Sequence, residues 1–224
     1  MEKLSKKALK KAQSDHDFIY KKLKTQYPNS ITALNWENPL QLLIATILSA
    51  QCTDARVNMV TPELFNKYPT ANDLAEANPE KVQKIIRSTG FYKSKTRSII
   101  GACKKIIEEF NGKMPDNINC LIKLPGVARK TANVVLWNVY GKNEGIVVDT
   151  HVKRVAYRLG WTTQRQPEKV EKDLMKIFKK SQWGPLSHLL IDLGREYCKA
   201  PMPKCEGCFL KAECPWYAEI ISKK

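Results

Sequence analysis

The chain has 224 residues, with 38 Lys+Arg against 22 Asp+Glu and a formal net charge of +16. Its 43% hydrophobic and 8% aromatic content excludes a disordered basic tail, and its length fits one large domain or two small ones. The longest apolar run, Leu40 to Cys52, is broken by Gln41, Thr46, Ser49 and Gln51, which excludes a membrane span. The lysine-rich N-terminus lacks the apolar stretch of a signal peptide, so a cytoplasmic protein is expected. Seven cysteines in such a chain read as reduced thiols or metal ligands. Positive charge spread along the whole chain points to a polyanionic partner, either nucleic acid or an anionic membrane surface.

Apolar positions recur at helical spacing throughout, and sustained alternation is hard to find. Leu40, Leu43, Ile44, Ile47 and Leu48 predict a buried central helix, and Val82, Ile85 and Ile86 the next apolar face. Ile99, Ile100, Cys103, Ile106, Ile107 and Phe110 predict a helix stopping at Asn111-Gly112. Val134, Val135, Leu136, Trp137 and Val139 are dense enough for a buried strand. They follow Lys130-Thr131-Ala132 without a break and close at Gly141, so they are read as a helix. Two further amphipathic helices carry Val170, Leu174, Ile177 and Phe178, then Leu186, Leu189, Leu190 and Leu193. Connections such as Tyr68-Pro69, Asn78-Pro79, Thr89-Gly90 and Pro125-Gly126 are short and carry turn residues. The fold class is all-α.

Near the C-terminus, Cys198, Cys205, Cys208 and Cys214 follow the spacing C-x6-C-x2-C-x5-C within 17 residues. Structural zinc sites usually join two short-spaced pairs across a longer gap, whereas this segment has one close pair with a lone cysteine on each side. Four thiolates also suit a [4Fe–4S] cube, one ligand per iron. Spacing favours the cluster and leaves zinc, or unligated thiols, open. Cys52, Cys103 and Cys120 sit in apolar helical contexts and read as core.

The segment Leu124-Pro125-Gly126-Val127-Ala128-Arg129-Lys130-Thr131-Ala132 is a tight turn running into a helix start. Such a hairpin aims backbone N–H groups at an anion, a phosphodiester being the obvious one; an ordinary inter-helix turn is the plain alternative. Lys130, beside Arg129 in the first turn, becomes a nucleophile if positive surroundings and partial burial lower its pKa; otherwise it binds phosphate. In Val147-Val148-Asp149-Thr150-His151, Asp149 follows a strand-like apolar lead-in. Either Asp149 or Thr150 is a plain helix N-cap, or Asp149 is a carboxylate working beside a cationic cleft. His151 alone reads as a polar-contact histidine.

Taken together and in order, Leu48-Ser49-Ala50-Gln51-Cys52-Thr53-Asp54, the Leu-Pro-Gly-Val-x-Arg-Lys-Thr-Ala hairpin, Val148-Asp149-Thr150-His151 and the cysteine set resemble the endonuclease III family. These are helix-hairpin-helix DNA glycosylases with abasic-site lyase activity, and the resemblance runs from about Asn35 to Trp216. It implies a [4Fe–4S] cluster on Cys198, Cys205, Cys208 and Cys214. Lys130 is implied as the Schiff-base nucleophile and Asp149 as its essential carboxylate, facing each other across a cleft. Gln51 is implied to fill the gap left by an extruded nucleotide, and Phe91 to occupy the wedge position beside it. Gly126, Ala128, Arg129 and His151 complete the implied DNA-contacting set.

The implied architecture is a six-helix domain over 32–143 holding the hairpin, and a discontinuous cluster domain from 1–31 and 144–224. The implied partner is damaged double-stranded DNA, bound by a monomer working at the nucleoid, with oxidised pyrimidines as substrates. A monofunctional mismatch glycosylase is disfavoured by Lys130 and by the short chain. A non-catalytic DNA-binding or redox-sensing module is disfavoured because binding alone needs neither Lys130 nor Asp149. One departure is Ala128, where the family usually has glycine: an added Cβ crowds the phosphate, or strains the turn if φ is positive. Lys3, Lys6, Lys7, Lys10 and Lys11 fall on one helical face of an N-terminal extension, either tracking DNA backbone or simply solvated.

Overall fold

The computed structural model describes residues 4–222, and no strand occurs among them. The chain divides into two compact units, Thr32–Glu144 and a unit joining the segment up to Ile31 with the segment from Gly145 onward. The latter carries α1 (Lys6–Ser14) and α2 (His16–Gln26). Thr32–Glu144 carries α3 (Pro39–Leu48), α4 (Asp54–Lys67), α5 (Ala71–Ala75), α6 (Pro79–Ile86), α7 (Tyr92–Phe110), α8 (Ile118–Leu121) and α9 (Arg129–Tyr140). The chain then returns to the other unit with α10 (Thr150–Arg158), α11 (Pro167–Ile177) and α12 (Trp183–Glu196). The family resemblance implies a six-helix domain over 32–143; Thr32–Glu144 carries seven α-helical segments, of which α5 and α8 span only 5 and 4 residues.

In Thr32–Glu144, α3 is the axis. Asn38 caps it by accepting from the Gln41 N–H, and Pro39 pre-sets its first turn. Every residue from Leu42 to Leu48 is buried, so the helix is covered on all sides, packing on α4, α7 and α9. Capping fixes the neighbours: Thr53 caps α4, Asn78 caps α6, and Thr70 with Asp73 forms a reciprocal capping box on α5. α7 stops where its sequence says, with Asn111 left-handed at φ 52° and the Gly112 N–H returning to the Ile106 carbonyl. The valine-rich run ending at Val139 is helix α9, as its unbroken lead-in predicts.

The other unit is built around Trp161, fully buried and edge-on to Phe178 at a centroid distance of 4.9 Å. Its indole N–H donates to the Ala12 carbonyl, tying α1 to a residue 149 positions away. Ile19 and Leu23 of α2 join Val152, Val155, Leu174 and Leu190 in the same core. Val147 and Val148 form no strand: the Val147 N–H donates to the Ser187 hydroxyl instead of a neighbouring strand. Lys6, Lys7, Lys10 and Lys11 are exposed on α1, whose buried residue is Ala12; Lys3 lies outside the described residues.

Candidate functional site

The hairpin is formed by α8, the turn Leu124–Ala128 and α9. Leu124 and Val127 are buried and anchor it, while Gly126 takes φ 77°. A Cβ on Gly126 would stand 2.6 Å from Ser98 Cβ, so both the conformation and the close approach require glycine. The N–H groups of Gly126 and Ala128 donate to no acceptor among the described residues, and α9 has no side-chain cap. Uncapped amides at the start of a 12-residue helix, beside two free N–H groups, form a concentration of positive potential suited to a phosphate oxygen.

Ala128 has φ −83° and ψ 171°, ordinary extended backbone. Strain at this position therefore does not arise, because the left-handed residue of the turn is Gly126. Arg129 is oriented by donation from Nη2 to the Glu144 carbonyl at 2.9 Å. Lys130 is exposed on the first turn of α9 rather than partly buried, since the inward positions of that turn belong to Ala132 and Asn133.

Gln51 and Phe91 lie in the same unit as the hairpin. Both are exposed, Phe91 by 65%, and both adopt left-handed backbone, at φ 52° and 49°. That conformation costs a non-glycine residue about 1–2 kcal/mol. Among the described residues the only other non-glycine with positive φ is Asn111, whose place at a helix end is ordinary. These two strained positions are the same two that the family resemblance implies enter DNA.

Asp149 does cap α10: Oδ1 accepts from the Val152 N–H at 2.8 Å. Its second oxygen, Oδ2, faces His151 Nδ1 at 3.1 Å, so one carboxylate starts the helix and orients the imidazole. Gly194 makes room for this pair, since a Cβ there would lie 3.1 Å from His151 Cβ.

The four C-terminal cysteines line one cavity of about 30 Å³, together with Leu159, Leu193, Leu210, Tyr197 and Trp216. Among the described residues no three His, Cys, Asp or Glu are arranged for a single metal ion. Four thiols lining one apolar cavity are a donor set that could hold an iron–sulfur group, one iron to each sulfur. Arg154 donates to the Cys198 carbonyl, and Arg158 to the carbonyls of Cys198 and Lys199. Both arginines lie on α10, the helix that Asp149 starts. Burial pushes the Cys103 thiol up to about 12, as for an inert core residue.

Sequence reasoning missed two participants. The first, Arg158, left no local signal, because its partners lie 40 and 41 residues onward. The second, Lys95, left one: it sits four positions before Ile99 on the buried face of α7, where an apolar residue belongs.

A family model described as HhH-GPD superfamily base excision DNA repair protein matches residues 44–180. The chain is 48% identical over 212 residues to the endonuclease III of Synechocystis sp., covering 95% of this chain and 96% of that protein. Its fold is similar to that of an endonuclease III in a non-covalent DNA complex, with TM-score 0.88 and 41% identity, covering 95% and 99% of the two chains. A trapped endonuclease III–DNA covalent intermediate matches with TM-score 0.88 and 41% identity over 93% and 98%.

Proposed function

The chain belongs to the HhH-GPD superfamily of base excision DNA repair proteins, and we propose that Lys130 and Asp149 carry its reaction. It is a DNA glycosylase with abasic-site lyase activity, and its partner is DNA. The observation that carries the assignment is Lys130 itself, an exposed amine in the first turn after a hairpin with two free N–H donors. A phosphate held there brings the neighbouring sugar within reach of that amine.

A stacked nucleotide shields C1′, so the damaged nucleotide leaves the duplex first, with oxidised pyrimidines as the substrate class. Gln51 fills the vacated space, and Phe91 wedges into the stack beside it. The Lys130 Nζ lone pair then attacks C1′, the glycosidic bond breaks, and the base departs with its electrons and gains a proton. Loss of the amine proton and opening of the sugar ring give an iminium between Lys130 and C1′. The iminium acidifies C2′; its proton leaves, the C3′–O bond breaks, and the 3′-phosphate departs. Water releases Lys130. Asp149 stabilises the positive charge developing on the sugar and carries protons, with His151 holding its free oxygen in place.

Cys198, Cys205, Cys208 and Cys214 would hold a [4Fe–4S] cluster, which supplies a covalent cross-link of the loop when bound. The charge of +16 gives a field that follows phosphates, and no helix among the described residues is long and apolar enough to cross a membrane. One chain carries both reacting groups, so a monomer working at the nucleoid suffices. Borohydride reduction with a duplex containing an abasic site tests the assignment. A covalent adduct that disappears in Lys130→Ala is expected; an adduct that persists transfers the nucleophile to another residue.

A further inference from the structure

Lys95 is 5% exposed, and no carboxylate pairs with it among the described residues. A buried ammonium survives only when its donors are used. Here Nζ donates to the Leu48 carbonyl and to the Thr89 carbonyl, each at 2.8 Å. Leu48 ends α3 three residues before Gln51, and Thr89 lies two residues before Phe91. The backbone N–H of Lys95 also donates to the Phe91 carbonyl at 3.0 Å. Thr89 is itself buried and fixed, its hydroxyl donating to the Ile86 carbonyl. One side chain thus joins the stems of two separate loops, and each loop carries a left-handed, exposed residue at its tip.

We propose that Lys95 is a positioning residue that clamps the Gln51 and Phe91 loops at a fixed separation, so that both side chains enter the duplex together. This rests on Gln51 as gap filler and Phe91 as wedge. Without the clamp, two strained tips must be ordered during extrusion, which weakens a step that depends on preorganisation. A lysine suits the task because its ammonium reaches carbonyls on two segments, where an apolar residue reaches neither.

Lys95→Met keeps the apolar stem and removes the donors. Single-turnover excision from a duplex with a fully paired oxidised pyrimidine is expected to fall about tenfold to a hundredfold, the size of a lost charge-assisted hydrogen bond. Cleavage at an abasic site in an unpaired bulge, where extrusion costs little, is expected to change by less than about threefold. Equal loss on both substrates reduces Lys95 to a fold-stabilising contact and overturns the clamp. Gln51→Ala and Phe91→Ala separate the two readings. If both variants keep wild-type excision on the paired lesion, the gap-filler and wedge roles fail. If both lose it while Lys95→Met does not, only the clamp fails. Should Lys95→Met not fold, the wild-type protein decides. In complex with a duplex carrying a stable abasic analogue, the Lys95 ammonium protons are expected to stay protected from exchange, and free exchange overturns the proposal.

Discussion

Arg158 Nη1 lies 3.3 Å from Cys198 Sγ, setting a permanent positive charge against one of the four clustered thiols. The same guanidinium donates to the Lys199 carbonyl at 2.8 Å and lies over the Trp216 ring. Four thiolates on iron would leave excess negative charge in this apolar pocket, which a guanidinium beside them would balance. It also ties the helix begun by Asp149 to the segment that carries the sulfurs.

Replacing Arg158 by Met is expected to destabilise the loaded protein by about 1–3 kcal/mol, the range of a hydrogen bond to a charged group. Iron should also leave faster. Thermal unfolding and the iron-to-protein ratio after dialysis against a chelator measure both. Arg158→Lys should fall between the two, since a point charge cannot engage two carbonyls and a sulfur together. Unchanged iron retention in Arg158→Met would remove the guanidinium from the site's electrostatics.

Asp149 caps α10 with one oxygen and faces His151 with the other, and substitution separates the cap from its proposed catalytic role. Asp149→Asn keeps an acceptor for the Val152 N–H, so stability should change by less than about 1 kcal/mol while excision falls roughly a hundredfold. Asp149→Ala loses the cap as well and should unfold about 1–2 kcal/mol more easily. Denaturant titrations beside single-turnover rates check this. If Asn and Ala lose stability equally, the cap contributes nothing.

The turn at Gly126 allows a second separation. Gly126→Ala meets Ser98 at 2.6 Å and also places an L-residue at φ 77°. A loss of about 2–4 kcal/mol is expected. Adding Ser98→Gly should recover the steric part and, once the cost of glycine inside α7 is subtracted using Ser98→Gly alone, leave about 1–2 kcal/mol of backbone strain. Ala128→Gly, by contrast, should leave stability within about 0.5 kcal/mol. Glycine's advantage over alanine at a helix N-cap there opposes its greater freedom in the unfolded chain. Chemical denaturation of the wild type and the four variants gives each term, and a large gain from Ala128→Gly would contradict the extended geometry at that residue.

His188 on α12 supplies a pH dependence. Burial lowers its pKa from 6.5, with Arg195 acting in the same direction and Asp192 against it. The unfolded chain takes up this proton before the folded one does. The stability that His188 contributes is therefore fully present above about pH 6.5 and is lost as pH falls through the folded value. Unfolding midpoints measured on either side of pH 6.5 should drop toward acid, with a shallower drop in His188→Gln. An identical slope in that variant would assign the acid sensitivity elsewhere.

Features encoded by near neighbours were legible in the sequence: the stop at Asn111-Gly112, the Pro125-Gly126 turn, the helix through Val139 and the grouping of the cysteines. Each depends on residues within a turn or two, where periodicity and turn chemistry act. Lys95 and Arg158 escaped because their acceptors are carbonyls brought near only by tertiary packing, 40 or more residues away for Leu48 and Cys198. Val147 and Val148 show the same principle. Their apolar pattern suits a strand, but the Ser187 hydroxyl satisfies the backbone that a neighbouring strand would have used.

The interrupted unit bears on the order in which the chain matures. Ser5 meets Glu219 across 214 residues, and Trp161 bonds to Ala12 across 149. Thr32–Glu144 draws on nothing outside itself for its core, so it can fold as it emerges from the ribosome. The other core must wait, because Ile19 and Leu23 find Leu189 and Leu190 only when α12 has been made. The cysteine loop follows α12 directly, so its sulfurs are made after the helices of both cores. Iron taken up by these sulfurs would therefore bind after the residues of both cores have been made, and assembly of the hairpin would not depend on it.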